Sequence, residues 1–243
     1  VNTPIYQMPI LNVSEARHII ICNYDTKPGY AGVDNPLYQD NTKVSLLLGD
    51  AKESISKLIK TLQNNQSNNT LSENKAITLL KDSQKIVIVP GYGMAVSQSQ
   101  HLVKRLAEVL EQDNKEVLFG IHPVAGRMPG HMNVLLAEVD VDYEKLLDID
   151  QINPQFKDTD VVIVIGANDV INPAANTAVN TPIYQMPILN VSEARHIIIC
   201  NYDTKPGYAG VDNPLYQDYE KVSLYLGDAK ESLQKIIDEF LNY

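Results

Sequence analysis

The sequence predicts an α/β fold: a doubly wound parallel sheet of about six strands, plus a duplicated strand–loop–strand–helix segment. Three observations carry this expectation. Short apolar runs alternate with stretches of helical spacing, the pattern of parallel strands joined by crossover helices. The runs IVIV at 86–89 and VVIVI at 161–165 are apolar at every position, as strands covered on both faces are. Residues 1–40 recur without a change at 179–218, so the chain carries one segment twice.

From residue 76 the elements follow in order. Residues 76–83 predict a short helix, and KIVIVP at 85–90 a strand ending at Gly91. The apolar positions Val96, Leu102, Val103, Leu106, Val109 and Leu110 predict one helix over 94–113. VLFGIH at 117–122 reads as a strand, HMNVLLAEV at 131–139 as a helix, and 145–150 as a short strand. DVVIVIGAND at 160–169 is the most apolar strand. Within the repeat, PILNVSEARH leads into strand HIIIC at 196–200, then strand KVSLYLG at 221–227 and helix DAKESLQKIIDEFL at 228–241.

The chain divides into a duplicate segment at 1–60, a polar linker at 61–75 and a Rossmann-like α/β domain at 76–243. Past the identical stretch the copies stay similar to Ile59 and Ile237, with Asn41-Thr42 against Tyr219-Glu220, Leu47 against Tyr225 and Ser56 against Gln234. Two long copies flanking a unique middle indicate recent duplication or a constructed chain rather than a solenoid. The linker, TLQNNQSNNTLSENK, is almost devoid of apolar residues, and as flexible coil would span about 20 Å. Residues 76–243 alone supply the six strands, so one copy is surplus. The middle can pair with either copy but only with one at a time. The surplus copy is then disordered, packed elsewhere or exchanged with another chain, which would give a homo-oligomer by segment exchange. Completion of the sheet by 179–243 is expected, because that linkage needs no tether.

A formal net charge of -10 argues against nucleic-acid binding, which needs clustered cations. The longest apolar runs fall far below the roughly 20 residues of a membrane span, so no direct span is expected. No signal peptide is visible, and the chain reads as soluble. Cys22 and Cys200 end apolar runs in identical contexts and read as small buried hydrophobes rather than a disulfide. The five histidines lack metal-site spacing, so no metal is expected.

Three glycine-rich loops carry the chemistry. In VPGYGMAVSQSQH at 89–101 a strand ends, Gly91 and Gly93 follow, and a helix opens. Gly91 allows the turn, Gly93 removes a Cβ that would strike a diphosphate, and the helix N-terminus offers N–H groups to anionic oxygens. Val96 stands where the dinucleotide fingerprint has Gly or Ala, so the motif alone fits a ligand loop or an ordinary turn. In GIHPVAGRMPGHMNVLLAE at 120–138, Arg127 is the only cation and suits a bidentate phosphate contact, although a solvated surface Arg fits equally. His122 and His131 there read as structural rather than catalytic. In VIGANDVINPAA at 164–175, Asn168, Asp169 and Asn172 could bond ribose or carboxamide groups. All three loops leave the carboxyl ends of strands, where open α/β sheets bind ligands.

GYGMAV, GIHPVAGRMPGHMNVLLAE, GANDVINPAA, GYAGVDNPLY and LGDAK resemble, in the same order, the NADP(H)-binding component (domain III) of proton-translocating nicotinamide nucleotide transhydrogenases. The resemblance covers essentially all of 76–243, and residues 1–60 resemble the tail of that component a second time. It implies a Rossmann-like fold holding NADP(H) with its nicotinamide exposed. A partner, the NAD(H)-binding domain I, would present NAD(H) for direct hydride transfer. In the intact enzyme the membrane domain II would couple this to proton translocation, with the present domain peripheral to the membrane. The implied cofactor-binding residues are Gly91, Tyr92, Gly93, Met94 and Ala95; Val124, Ala125, Gly126, Arg127, Met128 and Pro129; and Gly166, Ala167, Asn168, Asp169 and Val170. They continue with Met186, with Asn201, Tyr202, Asp203, Lys205, Gly207 and Tyr208, and with Asp228 and Ala229.

Gly207, Tyr208 and Ala209 would belong to a lid over the cofactor. Asp169 would couple cofactor state to protonation, and no catalytic base is implied, because the cofactors carry the hydride chemistry. Where the family carries Lys-Arg-Ser for the 2′-phosphate, this chain reads Asn201-Tyr202-Asp203. Two cations are lost and a carboxylate gained, with Lys205 near enough in sequence to restore one charge. The resemblance points to NADP(H), whereas an acid beside the adenosine ribose favours a free 2′-hydroxyl. Two other readings stand beside this one. An engineered chain on this scaffold would act as a conformational switch or assembling subunit without catalysis. An unrelated dehydrogenase of this fold would need a separate substrate domain, which the chain lacks.

Overall fold

In the computed structural model, residues 5–243 are described, with 59–74 described by backbone alone. The chain divides into two compact units, Val1–Ser67 and Asn68–Tyr243.

In the larger unit, β3 (Lys85–Pro90), β4 (Glu116–Gly120), β5 (Leu146–Leu147), β6 (Val161–Ile165), β7 (His196–Asn201) and β8 (Val222–Leu226) form one parallel sheet. Its spatial order is β5-β4-β3-β6-β7-β8, the doubly wound arrangement in which the chain runs outward from the centre twice. Alternate side chains point to opposite faces, and both faces are covered. Ile86, Ile88, Ile163 and Ile165 enter one core, which also holds Leu106, Leu110, Leu233 and Phe240 from the helices. Val87, Val89, Val162 and Val164 enter the other, with Phe156, Leu189 and Val191. This double burial is why the strands read as unbroken apolar runs.

The elements expected from residue 76 onward are present, with differences at their edges. The helix expected over 94–113 is two, α2 (Tyr92–Ser97) and α3 (Gln100–Gln112). Gln98 between them is left-handed (φ 51°). The Ser97 hydroxyl donates to the carbonyls of Gly93 and Met94, competing with the helix ladder at the break. The strand expected at 145–150 shrinks to β5 because Asp148 starts a helix. Its carboxylate accepts from the Gln151 N–H while the Gln151 side chain accepts from the Asp148 N–H, a capping box for α5 (Ile149–Ile152). Helix α4 (His131–Ala137) and α6 (Ala229–Asn242) stand where expected, the latter capped by Asp228, which accepts from the Lys230 N–H at 2.8 Å.

Residues 61–75 are helical rather than coil, which corrects the expected flexible linker. They lie inside α1 (Ala51–Asp82), which also absorbs the helix expected at 76–83. No Gly or Pro occurs from 51 to 82, so nothing in this polar stretch breaks a helix. At 1.5 Å per residue, fifteen helical residues span about 22 Å, close to the reach expected of coil.

In the smaller unit, β1 (Ile19–Asn23) pairs in parallel with β2 (Val44–Leu48) as a two-stranded sheet, followed by the first turns of α1. Cys22 in β1 is half-buried, against the expectation of full burial, whereas its repeat Cys200 is buried and its thiol pushed up to about 12 by that burial.

Candidate functional site

Strand order places the site. From β3 the chain proceeds to β4 on one side, and from β6 to β7 on the other, so the loops leaving β3 and β6 part at the sheet's centre. Ligands of open α/β sheets bind at such a point, beyond the strands' carboxyl ends. The loop after β3 carries Gly91, Tyr92 and Gly93, and the loop after β6 carries Gly166 and Ala167.

These loops cross backbone on backbone. Gly91 N–H donates to Ile165 C=O at 2.8 Å, and Gly93 N–H to Gly166 C=O at 2.9 Å. A Cβ on Gly93 would sit 2.6 Å from Gly166 Cα, and one on Gly166 would sit 2.3 Å from Gly93 Cα. The reading of Gly93 as clearance for a diphosphate is therefore corrected. Its missing side chain admits the neighbouring loop, and its N–H is already committed there. Met94, expected among the binding residues, is wholly buried in the core, while Tyr92 is exposed and Ala95 half-buried.

The loop from 121 to 130 is held by two histidines. His122 Nε2 donates to Pro187 C=O at 2.8 Å, and its Nδ1 accepts from Val124 N–H at 3.3 Å, a division that requires the neutral ring. Burial pushes the His122 pKa down, in the same sense. His131 Nδ1 accepts from Arg127 N–H at 3.2 Å. Both histidines bind backbone, as their structural reading expected. Between them Val124, Arg127, Met128 and Pro129 are exposed, Gly126 half-buried and Ala125 buried. The Arg127 guanidinium lies 4.9 Å from the Tyr92 ring centroid, which joins this loop to the one after β3.

The segment after β7 folds back onto the loop after β6 through side chains of that loop. Asn168 Nδ2 donates to Lys205 C=O at 2.9 Å, and Asn168 Oδ1 accepts from Asn213 Nδ2 at 3.1 Å. Asp169 Oδ2 accepts from Ala209 N–H at 2.9 Å. Buried Asn172 donates to Asp212 C=O at 3.2 Å and accepts from Ala174 N–H, so its polar atoms are engaged within the protein rather than left for a ligand. A Cβ on Gly207 would lie 2.5 Å from Asp169 Oδ1, so the close approach of the segment after β7 to this carboxylate requires glycine. Asp169 Oδ1 itself is buried with no hydrogen-bond partner.

Asn201, at the end of β7, is buried. Its Nδ2 donates to Ala167 C=O at 2.8 Å and to the Tyr216 hydroxyl, while its Oδ1 is unpartnered. The Tyr216 phenol, pushed up to about 12 chiefly by burial, stays protonated. Tyr202 and Tyr208 are fully in solvent. Lys205 Nζ pairs with Asp203 at 3.1 Å, and Asp203 also accepts from Lys205 N–H, which holds that carboxyl below the usual range. Val170 and Ala229 are buried and Asp228 is spent on its helix cap. Met186, Ala209 and Val211 pack against Ala175, Ile183 and Ile188, a small core linking the segment after β7 to the one before it. Among the described residues, no group of three or more His, Cys, Asp or Glu could hold a metal, and no helix is long and apolar enough to cross a membrane.

The expected residues that are exposed to solvent are thus Tyr92, Val124, Arg127, Met128, Pro129, Tyr202, Lys205, Tyr208 and the helix-capping Asp228. Sequence reasoning missed Asn213 and Tyr216, which bond to Asn168 and to Asn201. The Asn213-Pro214 dipeptide was the available signal, since Asn before Pro at the start of a short 3-10 turn caps it, here by accepting from Leu215 N–H.

Comparison with known proteins places the chain. The family described as NAD(P) transhydrogenase beta subunit matches residues 60–239, and matches residues 1–61 as well. Two relatives from Rhodospirillum rubrum, each described as NAD(P) transhydrogenase subunit beta, are 48% identical over 166 residues. That alignment covers 68% of this chain and 36% of each relative, so the chain spans about a third of their length. Among solved structures, an exopolyphosphatase-related protein from Bacteroides fragilis shares 16% identity at a TM-score of 0.40, over 70% of this chain and 44% of that one; no argument rests on it.

Proposed function

Because the chain belongs to the NAD(P) transhydrogenase beta subunit family, we propose that residues 76–243 bind NADP(H) for direct hydride exchange with NAD(H) on a partner domain. The partners in this reading are an NAD(H)-binding domain I and a membrane domain II that couples the exchange to proton translocation. The chain itself is then a domain at the membrane periphery. The observation that carries the reading is the meeting of three loops where β3 and β6 part, with the segment after β7 folded over them.

Asp169 Oδ1 and Asn201 Oδ1 are buried acceptors without partners, suited to a carboxamide or hydroxyl donor. Arg127 beside Tyr92 offers a cation next to an aromatic face. These features fit a dinucleotide. When bound, the nicotinamide supplies the hydride chemistry. This chain's residues then orient and exclude water. Tyr92 and Arg127 hold from one side, and Gly207, Tyr208 and Ala209 cover from the other. Asp169 fastens the lid, since its Oδ2 accepts the Ala209 N–H. In this reading Asp169 is the residue through which cofactor state and protonation are coupled.

Calorimetric titration of the whole chain with NADP(H) and with NAD(H) tests this reading. NADP(H) is expected to bind more tightly; at least tenfold tighter NAD(H) binding, or no binding of either, would overturn it. Asp169→Asn is expected to flatten the pH dependence of affinity, and an unchanged profile removes the coupling role. One observation favours a second reading, NAD(H). Lys205, the cation that could replace the missing Lys-Arg pair, is neutralised by Asp203, and the Asn201 donor is spent within the protein. The same titration separates the two.

A further inference from the structure

The slot beside β6 is filled by residues 183–237, and we propose that it also takes residues 5–59 of the same chain, so that the protein exchanges between two frames of one fold. This inference rests on the fold and not on the cofactor reading. Three observations carry it.

The first is that residues 5–59 are already folded into the shape the slot requires. Ile19↔Val44 through Asn23↔Leu48 repeat the register Ile197↔Val222 through Asn201↔Leu226, residue for residue. His18 Nε2 meets Ser45 Oγ at 2.9 Å as His196 Nε2 meets Ser223 Oγ at 2.9 Å. Asn23 donates to the Tyr38 hydroxyl as Asn201 does to that of Tyr216, and Lys43 to Ser14 C=O as Lys221 does to Ser192 C=O. No refolding within the copy is needed.

The second is that this copy presents an unmet surface. β7 pairs with β6 on its other edge, Val161↔His196 through Ile165↔Cys200, while β1 has β2 as its one neighbour among the described residues. Ile198 is wholly buried and its repeat Ile20 is 53% exposed; Leu189 is wholly buried and its repeat Leu11 is 86% exposed. Unpaired edges and apolar faces of this kind seek a partner. Here the partner is displayed by the molecule itself, because every residue of β1 has an identical counterpart already seated on β6.

The third is that connectivity permits the second frame within one chain. The Tyr243 hydroxyl lies 3.1 Å from Thr78 Oγ1, so the end of α6 reaches the last turns of α1 that lead into β3. In the second frame a segment seated as α6 ends at residue 65, and residues 66–77 have only that short gap to bridge, which they span as a loop rather than as the continuous helix of α1. Each molecule has one middle and two copies, so exchange between molecules leaves as many copies unmatched as before. Nothing in this contact favours a second molecule over the same one.

Ligand does not drive the exchange. The proposed contact residues Met186, 201–208, Asp228 and Ala229 recur unchanged as Met8, 23–30, Asp50 and Ala51. Equal affinity for both frames shifts neither.

The test uses full-length chains carrying Ile198→Asp, Ile20→Asp or both, followed by thermal unfolding and amide hydrogen exchange. The substitutions also make the two otherwise identical strand peptides distinguishable by mass. Ile198→Asp is expected to keep a cooperative transition, with protection gained at 19–23 and lost at 197–201. Ile20→Asp is expected to match the parent, and the double variant to lose the transition. Loss of the transition in Ile198→Asp alone, as complete as in the double variant, overturns the proposal. So does a rescue that disappears on dilution, because it would come from a second molecule.

Discussion

Residues 5–48 and 183–226, identical as far as Asp40 and Asp218, share one local structure but not one environment. Each has a 3-10 turn over VSE, a strand, a second 3-10 turn capped by Asn before Pro, and a second strand in the same register. Turn dihedrals repeat closely, with Asn12 at φ −77°, ψ 52° and Asn190 at φ −77°, ψ 47°. Yet β7 is buried along its whole length and β1 at Ile19 alone. The contacts that reproduce are those internal to each copy. Those that do not reproduce are made to the middle of the chain: Asn201 to Ala167, Ala209 to Asp169, Asn213 to Asn168, Pro187 to His122. Local structure here follows sequence, while burial, and with it stability and any site, follows the partner.

The largest expected effect separates the copies by truncation. Leu189→Ala removes a wholly buried side chain and should cost about 2–5 kcal/mol, whereas Leu11→Ala should stay within about 0.5 kcal/mol. Denaturant unfolding of both variants measures this. If residues 5–59 replace the damaged copy, the cost of Leu189→Ala is capped at the free-energy gap between frames. A value well below the range would therefore sharpen the comparison rather than blur it.

The same contrast explains what could be read in advance. The six strands were legible because burial on both faces leaves unbroken apolar runs, and α6 because Leu233, Ile236, Ile237 and Phe240 keep helical spacing on a buried face. Residues 61–75 were misread because polarity was taken as flexibility, although no helix breaker occurs there. The loops leave the carboxyl ends of β3 and β6 as read, but the neighbour of Gly93 could not be read in advance. That Gly93 meets Gly166 depends on β3 lying beside β6, a fact of strand order that no local window contains. Asn172 was offered to a ligand for the same reason: its partners at 211–212 are forty residues away in sequence and adjacent only in the fold.

Acid should act next most strongly, through His196. Burial first, and the charge of Lys75 second, bring its pKa down to about 4 from an ordinary 6.5. The unfolded chain therefore binds a proton that the folded chain refuses between those values, and stability rises with pH across the window. The contribution is whole above pH 6.5 and falls by roughly 3 kcal/mol by pH 4. Unfolding at a series of pH values should show this slope, and His196→Gln should reduce it. His122 is displaced in the same direction and adds to the loss below pH 6.5.

Two identical glycines give a smaller and cleaner contrast. A Cβ at Gly207 would meet Asp169 Oδ1 at 2.5 Å, while one at Gly29, its repeat, meets nothing within 4 Å. Gly207→Ala should push residues 207–209 off the Asp169 carboxylate at a cost of about 1–3 kcal/mol in stability, and Gly29→Ala should be neutral. Equal effects at both positions would mean that this contact contributes nothing.

The smallest expected effect concerns the few positions where the copies differ. Tyr225 is buried, donates from its hydroxyl to Glu239 at 3.3 Å and lies 5.7 Å from Lys235 Nζ; its counterpart is Leu47, with neither hydroxyl nor ring. That difference favours seating 183–237 over 5–59. A long, partly solvated hydrogen bond and an exposed cation–π contact together amount to about 1 kcal/mol. Tyr225→Leu should therefore lower stability by that amount and move the two frames closer in population. The reciprocal Leu47→Tyr should leave the stability of the observed frame alone while strengthening its competitor. Hydrogen exchange on the pair, with Ile20→Val as a silent mass label, reads the shift. A Leu47→Tyr chain whose 19–23 amides stay as unprotected as the parent's would place the gap between frames in the connection through 60–75 rather than in side-chain packing.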